Sequence, residues 1–199
     1  MRYNKYGGYN SGTTQQGKPS AEGMYRTRIN RKETPAHVAW HHMLARCYGD
    51  CYKNDRPNYQ KCEVIEEWMD FQVYAKWFYA NWVEGYQVDK DILSNGLLYS
   101  PDTCVFVPNK INMLFRTIPS RDLPLGVRLD PRENLSKRYI VTACNEWVGR
   151  FETVEIAVEN SIKARNEMAK KLAKEYKNSI SEKCYNALMN YDFGIHYEH

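Results

Sequence analysis

The feature that most narrows the fold is a repeated change of hydrophobic period. Between Val38 and Phe78, apolar and aromatic residues recur at three- and four-residue spacing. Between Tyr86 and Phe151 they gather into short runs punctuated by Gly, Pro, Asn and Ser, and from Val154 the helical spacing returns. Period 3.6 marks a helix with one buried stripe, and short apolar runs between turn residues mark strands. A chain that changes period in this way is neither a helical bundle nor an all-β sandwich. The expected class is α+β: a helical N-terminal region leading into a strand–loop–strand–helix unit, then a three-stranded antiparallel sheet with a helix.

Local signals place the elements. Residues 1–23 are rich in Gly, Ser, Thr, Asn and Gln without an apolar period, so 1–33 reads as a flexible basic arm. Thr34 suits an N-cap and Pro35 the first helical position. A helix with a stripe of Val38, Trp40, Met43, Leu44 and Cys47 is expected to follow, ending at Gly49. After a loop and a short apolar segment at Cys62–Ile65, a second helix is expected from about Glu66 to Asn81, burying Trp68, Phe71, Tyr74, Ala75 and Phe78. Strands are expected over Tyr86–Leu93 and Cys104–Val107, with Ser94-Asn95-Gly96 as a turn and a helix over Lys110–Arg116. Pro119–Leu123 reads as a linker. Strands at Gly126–Asp130, Arg138–Cys144 and Glu146–Phe151 precede helices at Val154–Tyr176 and Glu182–Asn190 and an irregular tail. The expected divisions are the arm, one domain over 34–118 and another over 119–199.

Charge is distributed in blocks. Residues 1–62 carry eleven Lys and Arg against four Asp and Glu, and residues 116–177 thirteen against nine, whereas 63–115 carry three against eight. Basic flanks suit a polyanion, because each Lys or Arg set on a phosphate releases a counterion. An acidic centre fits that partner when some of its carboxylates hold a divalent cation, which reverses the local sign. No run of apolar residues is long enough to span a membrane, and no charged start precedes an apolar leader core. Six scattered cysteines in 199 residues do not demand disulfides, and a reducing cytoplasm is the expected setting. The sixteen Tyr and five Trp suit either a core or base stacking.

The segment from Tyr86 to Phe115 carries the most chemistry. Asp89 and Asp91 stand near the end of its first expected strand and, alternating by two, would share a face, with Lys90 opposite. Asn112 lies on the expected helix. A carboxylate and an amide oxygen suit an oxygen-loving cation, Mg²⁺ or Mn²⁺, able to polarise a phosphate.

The runs W-x-x-M-L-x-R-C-Y (Trp40–Tyr48), Y-x-x-C-x-V-x-x-x-W-x-x-F (Tyr59–Phe71), V-D-K-D-I-L (Val88–Leu93) and Y-S-P-x-T-C-x-F-V-P-x-x-I-N (Tyr99–Asn112) resemble phage HNH endonucleases of the free-standing or homing type. The resemblance implies a ββα-metal unit in which Asp89 and Asn112 hold the cation. It also sets Lys90 where the family has its general-base His, and Thr103 where it has the middle Asn. A lysine is ordinarily protonated at neutral pH and serves a phosphate better than it serves as a base. Lys90, Asp91 and Thr103 are thus the candidate catalytic residues, with a metal-bound water, Asp91 or His42 left to act as base. His41 and His42 otherwise read as solvated helix residues. Cys47, Cys51, Cys62 and Cys104 lack a zinc-ribbon spacing and read as buried thiols.

The stretch P-L-G-V-R, K-R-Y-I-V-T-A and W-V-G-R-F-E-T-V-E-I-A (Pro124–Ala157) resembles the AP2 DNA-binding domain. This resemblance implies a sheet laid in the major groove, with Arg128, Lys137, Arg138, Trp147 and Arg150 on double-stranded DNA. Taken together, the expectation is a cytoplasmic protein of a phage-infected bacterium, monomer or homodimer, that nicks or cuts DNA. The alternative is a degenerate scaffold of the same kind that binds DNA without cutting it, or inhibits a host defence protein.

Overall fold

A computed structural model describes residues 3–13, 24–55, 59–94, 96–115, 123 and 126–195. The chain divides into two compact units, Met1–Phe106 and Val107–His199. It is a mixed α+β protein containing a three-stranded antiparallel sheet. Among the described residues no helix is long and apolar enough to cross a membrane.

In the first unit, a two-stranded hairpin, β1 (Arg28–Ile29) and β2 (Lys32–Glu33), leads into helix α1 (Pro35–Tyr48). Thr34 caps α1 by accepting the His37 N–H, and its hydroxyl donates to the Arg26 carbonyl at 2.9 Å, tying helix to hairpin. Ala36, Trp40, Met43, Leu44 and Cys47 form the buried stripe. Val38, expected in that stripe, is exposed, because it lies half a turn away from Trp40. A short helix, α2 (Asp50–Asp55), occupies the start of the expected loop.

The expected helix from Glu66 is broken in two. Glu66–Met69 winds as a 3₁₀ turn, and α3 (Phe71–Asn81) starts after Asp70, whose carboxylate accepts the Gln72 N–H at 3.1 Å. A side chain that takes up a free N–H starts a new helix where pattern alone reads a continuous one. The Trp40 indole donates to the Trp68 carbonyl at 2.7 Å, locking α1 to the 3₁₀ turn, and Trp68, Phe71, Tyr74, Ala75 and Phe78 are all buried. Trp77 lies 4.6 Å from the Trp68 ring and 5.5 Å from Phe106, so the aromatic excess of this unit is mostly core.

Residues 3–13, expected as part of a flexible arm, are held by specific contacts. Phe71 donates to the Tyr9 carbonyl at 2.8 Å, Ser11 N–H donates to Asp70 at 3.0 Å, and the Gln72 amide bridges Asn10 and Tyr25. Gly8 is buried so closely that a Cβ there would stand 2.5 Å from Leu44. Composition reads these residues as solvated because their contacts are backbone and amide hydrogen bonds, which leave no hydrophobic period.

Strands β3 (Glu63–Val64) and β5 (Leu98–Tyr99) pair in parallel, and β4 (Gln87–Asp89) pairs with β6 (Val105–Val107). The strand expected over Tyr86–Leu93 therefore stops at Asp89.

The second unit opens with α4 (Asn109–Phe115), followed by β7 (Val127–Leu129), β8 (Tyr139–Ala143) and β9 (Glu146–Phe151), antiparallel in that order. The long helix α5 (Val154–Glu175), capped by Thr153, packs across the sheet; α4 and α6 (Glu182–Asn190) pack on α5. The β8–β9 turn is two residues, Cys144 and Asn145, both at positive φ, which keeps the twist of the flanking strands. Register pairs Arg128 with Ile140 and Ile140 with Arg150, then slips by one residue, so that Thr142 pairs with Trp147 and Val148 is extra. Val127, Val141 and Ala157 form the core between sheet and helix. Residues 191–195, after α6, are irregular but packed, with Phe193 against Phe115 and Tyr191.

Asp70 joins three segments, so we expect Asp70→Ala to lower the unfolding free energy by about 1–2 kcal/mol, the usual loss of a helix cap. Urea denaturation measures the loss, and faster amide exchange at Ser11 and Gln72 than in the wild type locates it.

Candidate nucleic-acid interface and the carboxylate–lysine corner

The five residues expected on DNA lie in the second unit. Because side chains alternate along a strand, the register puts Arg128, Ile140, Arg150, Thr142 and Trp147 on one face and Val127, Val141 and Tyr139 on the other, against α5. Arg138, one residue before β8, belongs by the same alternation to the Arg face, and its carbonyl accepts the Asp130 N–H at 2.8 Å. Lys137 is exposed in the preceding loop. Trp147 is 59% exposed, and the Arg150 guanidinium lies 5.9 Å from its ring centroid. Ile140, between Arg128 and Arg150 in register, is buried, in keeping with long arginine stems folding over an apolar neighbour.

One residue of this face carried no sequence signal that singled it out. Asp130 follows β7 and is 5% exposed. Its Oδ1 accepts from Arg132 N–H at 3.1 Å and Arg132 Nε at 3.0 Å; its Oδ2 lies 2.9 Å from Arg132 Nη2 and 2.8 Å from Arg150 Nη1. These arginine bonds, Arg132 foremost, hold the carboxyl far below the usual range. The readable hint was an acid among Arg128, Arg132 and Arg138.

The candidate catalytic residues Lys90, Asp91 and Thr103 and the candidate ligand Asp89 lie in the first unit. Asp89, at the end of β4, is 3% exposed. Its Oδ1 accepts the N–H groups of Asp91 at 2.9 Å and Ile92 at 3.0 Å, a turn that ends the strand. Asp89 and Asp91 are therefore not strand neighbours on one face. Lys90, 6% exposed, bends back and places Nζ 2.7 Å from Asp91 Oδ1. Its ammonium also lies 5.5 Å and 5.7 Å from the rings of Tyr59 and Tyr99. Gly96, at positive φ, closes over the pair; a Cβ there would collide with Asp91 Oδ1.

Burial works most strongly against the Lys90 charge, but the Asp91 carboxylate outweighs it, aided by Cys62 and Tyr59, and the ammonium is held above its ordinary range. Burial first, then the Asp91 carboxylate, pushes Asp89 up to about 6 against the pull of the Ile92 and Asp91 N–H groups. Nearby, the free thiols of Cys47 and Cys62 are hydrogen-bonding neighbours, which lowers the Cys62 pKa and raises that of Cys47.

Thr103 is committed elsewhere. Its hydroxyl donates to the Leu98 carbonyl at 2.7 Å and accepts the Ser100 N–H at 3.0 Å, knotting the β5–β6 loop. Asn112 stands on α4 in the second unit, and Asp89 belongs to the first. His41 packs on Tyr6, and His42 is exposed on α1. Cys47, Cys62 and Cys104 are buried and Cys51 exposed; His196 and His199 lie outside the described residues.

The corner fits a divalent cation poorly. Asp89 Oδ1 is committed to two N–H groups, leaving only Oδ2 to a metal, and a charged ammonium stands one residue away. Among the described residues no three His, Cys, Asp or Glu side chains gather as around a metal. The same atoms do fit a buried structural tie, in which charge is paired and turn N–H groups are satisfied.

Comparison with protein-family models, with curated proteins and with solved structures finds no match.

Two outcomes are expected at the corner. Because the folded Asp89 carboxyl is raised from 3.8 to about 6, the folded state holds a proton that the unfolded chain has released, so its contribution to stability declines as pH rises through that window. Asp89→Asn removes that decline, and urea titrations between pH 4 and pH 6 should give a flatter curve than wild type. Asp91→Ala leaves a buried ammonium without its carboxylate. The expected cost is about 3 kcal/mol, the low end for buried pairs because Asp91 is partly exposed. Thermal melts of Asp91→Ala alone and with Lys90→Met, where the second change restores stability, check it.

Proposed function

We propose that the chain binds double-stranded DNA through the Arg-bearing face of β7–β8–β9, and that it uses an HNH-like scaffold for binding rather than cutting. One observation carries the reading: four of the five residues expected to touch DNA, Arg128, Arg138, Trp147 and Arg150, share the sheet face turned away from α5. A sheet bearing arginines on one face and a helix on the other supports that reading. Arginine pairs in two-pronged fashion with guanine, and an exposed Trp packs on a thymine methyl or a sugar. The corner supports the non-cutting half, since Lys90 is charged and ion-paired and Thr103 is bound to its own loop.

Metal-dependent phosphodiester hydrolysis is the second reading, favoured by the buried Asp89 carboxyl at the end of β4, where the HNH resemblance sets its metal-binding Asp.

Fluorescence anisotropy with a short labelled duplex, over a range of salt concentrations, tests binding. The expected result is affinity that falls steeply with salt, with Arg128→Ala and Lys137→Ala each lowering the log–log slope by about 1 when the contact is to phosphate. Binding that is absent or indifferent to salt overturns the reading and leaves a host protein as the partner. A supercoiled-plasmid assay with Mg²⁺ or Mn²⁺ decides between binding and cutting. Nicking by wild type that is lost in Asp89→Ala would assign the chain to the nucleases.

A further inference from the structure

We infer that Asp130 is a positioning residue that fixes the Arg150 fork for reading one guanine, so that base preference at that position depends on an acid that need not touch DNA; this rests on the DNA-binding reading above.

The geometry gathers three arginines from three places around one buried acid. Arg132 comes from the loop after β7 and grips both carboxylate oxygens, Nε to Oδ1 at 3.0 Å and Nη2 to Oδ2 at 2.9 Å. Arg150 comes from β9 and sets Nη1, itself buried, 2.8 Å from Oδ2 as a close ion pair without an aligned hydrogen bond. Arg138, entering β8, reaches the Asp130 carbonyl with Nη2 at 3.5 Å. The backbone fixes Asp130 itself, since its N–H donates to the Arg138 carbonyl. A guanidinium has five N–H donors in a rigid plane. Holding Nη1 of Arg150 leaves Nε and Nη2 as the edge that a guanine O6 and N7 would meet.

An arginine free to rotate loses more entropy on binding than one already held, so the clamp favours a directed base contact over a diffuse phosphate contact. The Trp147 ring, 5.9 Å from the Arg150 guanidinium, flanks the same fork. Asp130 is otherwise costly on a DNA-facing surface, because its charge opposes phosphate. A purely electrostatic interface gains from its removal, and a directed one loses.

That opposition supplies the test. Full-length wild type, Asp130→Asn and Arg150→Ala are each taken through selection from a random-sequence duplex library. Affinities are then measured by anisotropy for the wild-type consensus duplex and a scrambled one. The expected result for Asp130→Asn is tighter binding to the scrambled duplex and a roughly tenfold or greater loss of discrimination. The relaxed preference should fall at the same single base position as in Arg150→Ala, and the double variant should add no further relaxation. A fold defect alone would weaken both duplexes together and lower the melting temperature, and that result overturns the inference. So does an Asp130→Asn consensus that keeps the position Arg150→Ala loses. If wild type binds consensus and scrambled duplexes with equal, salt-sensitive affinity, this inference fails while DNA binding stands. If wild type binds neither, both fail.

Discussion

A backbone N–H shut inside a turn without a partner costs about 1–3 kcal/mol, and that constraint decides where this chain reverses. At five of its corners a polar side chain takes up those groups. Thr34 starts α1, Asp70 starts α3 and anchors Ser11, and Asp89 ends β4 by accepting two N–H groups. Thr103 and Ser100 knot the loop before β6, and Asp130 holds the turn after β7 through the Arg132 N–H. In the first unit the aromatic core packs around the Thr34 and Asp70 corners, which fix the residues that enter it. Asp89 shows the consequence. The turn already uses one of its two carboxylate oxygens, Oδ1, and leaves only Oδ2 for any other partner.

The same constraint explains what was legible in the sequence. Elements defined by hydrophobic period were readable: the stripe of α1, the buried face of α3, the three strands of the second unit and the long α5. They follow from burial of apolar surface, which periodicity reports directly. The elements that differ were set by side-chain hydrogen bonds. Asp70 divided the helix expected from Glu66, Asp89 shortened the strand expected to Leu93, and Asn10, Gln72 and Asp70 ordered residues that composition read as an arm.

The candidate sites divide in the same way. Arg128, Trp147 and Arg150 were readable because strand alternation gives each residue a face. Asp130 was not, because its role depends on Arg138 and Arg150, which only register brings to it, as well as on Arg132 two residues on. At the corner, the residue types suggested a site, whereas the ion pair between sequence neighbours Lys90 and Asp91 shows the charge turned inward. Adjacent residues of opposite charge on an extended strand point apart, so a sequence reading cannot pair them; the bend at Asp89 does.

The single extra residue in β9 has a wider consequence. Trp147 and Arg150 are three apart, an odd interval that on an unbroken strand would send them to opposite sides. Val148, the added residue, resets the phase between them, so an aromatic platform and a basic fork face outward together. The surface chemistry of this sheet is therefore written in the length of one strand as much as in its letters. Straightening β9 with Val148 drawn into register would keep every charge and every ring, yet send the two to opposite faces of the sheet.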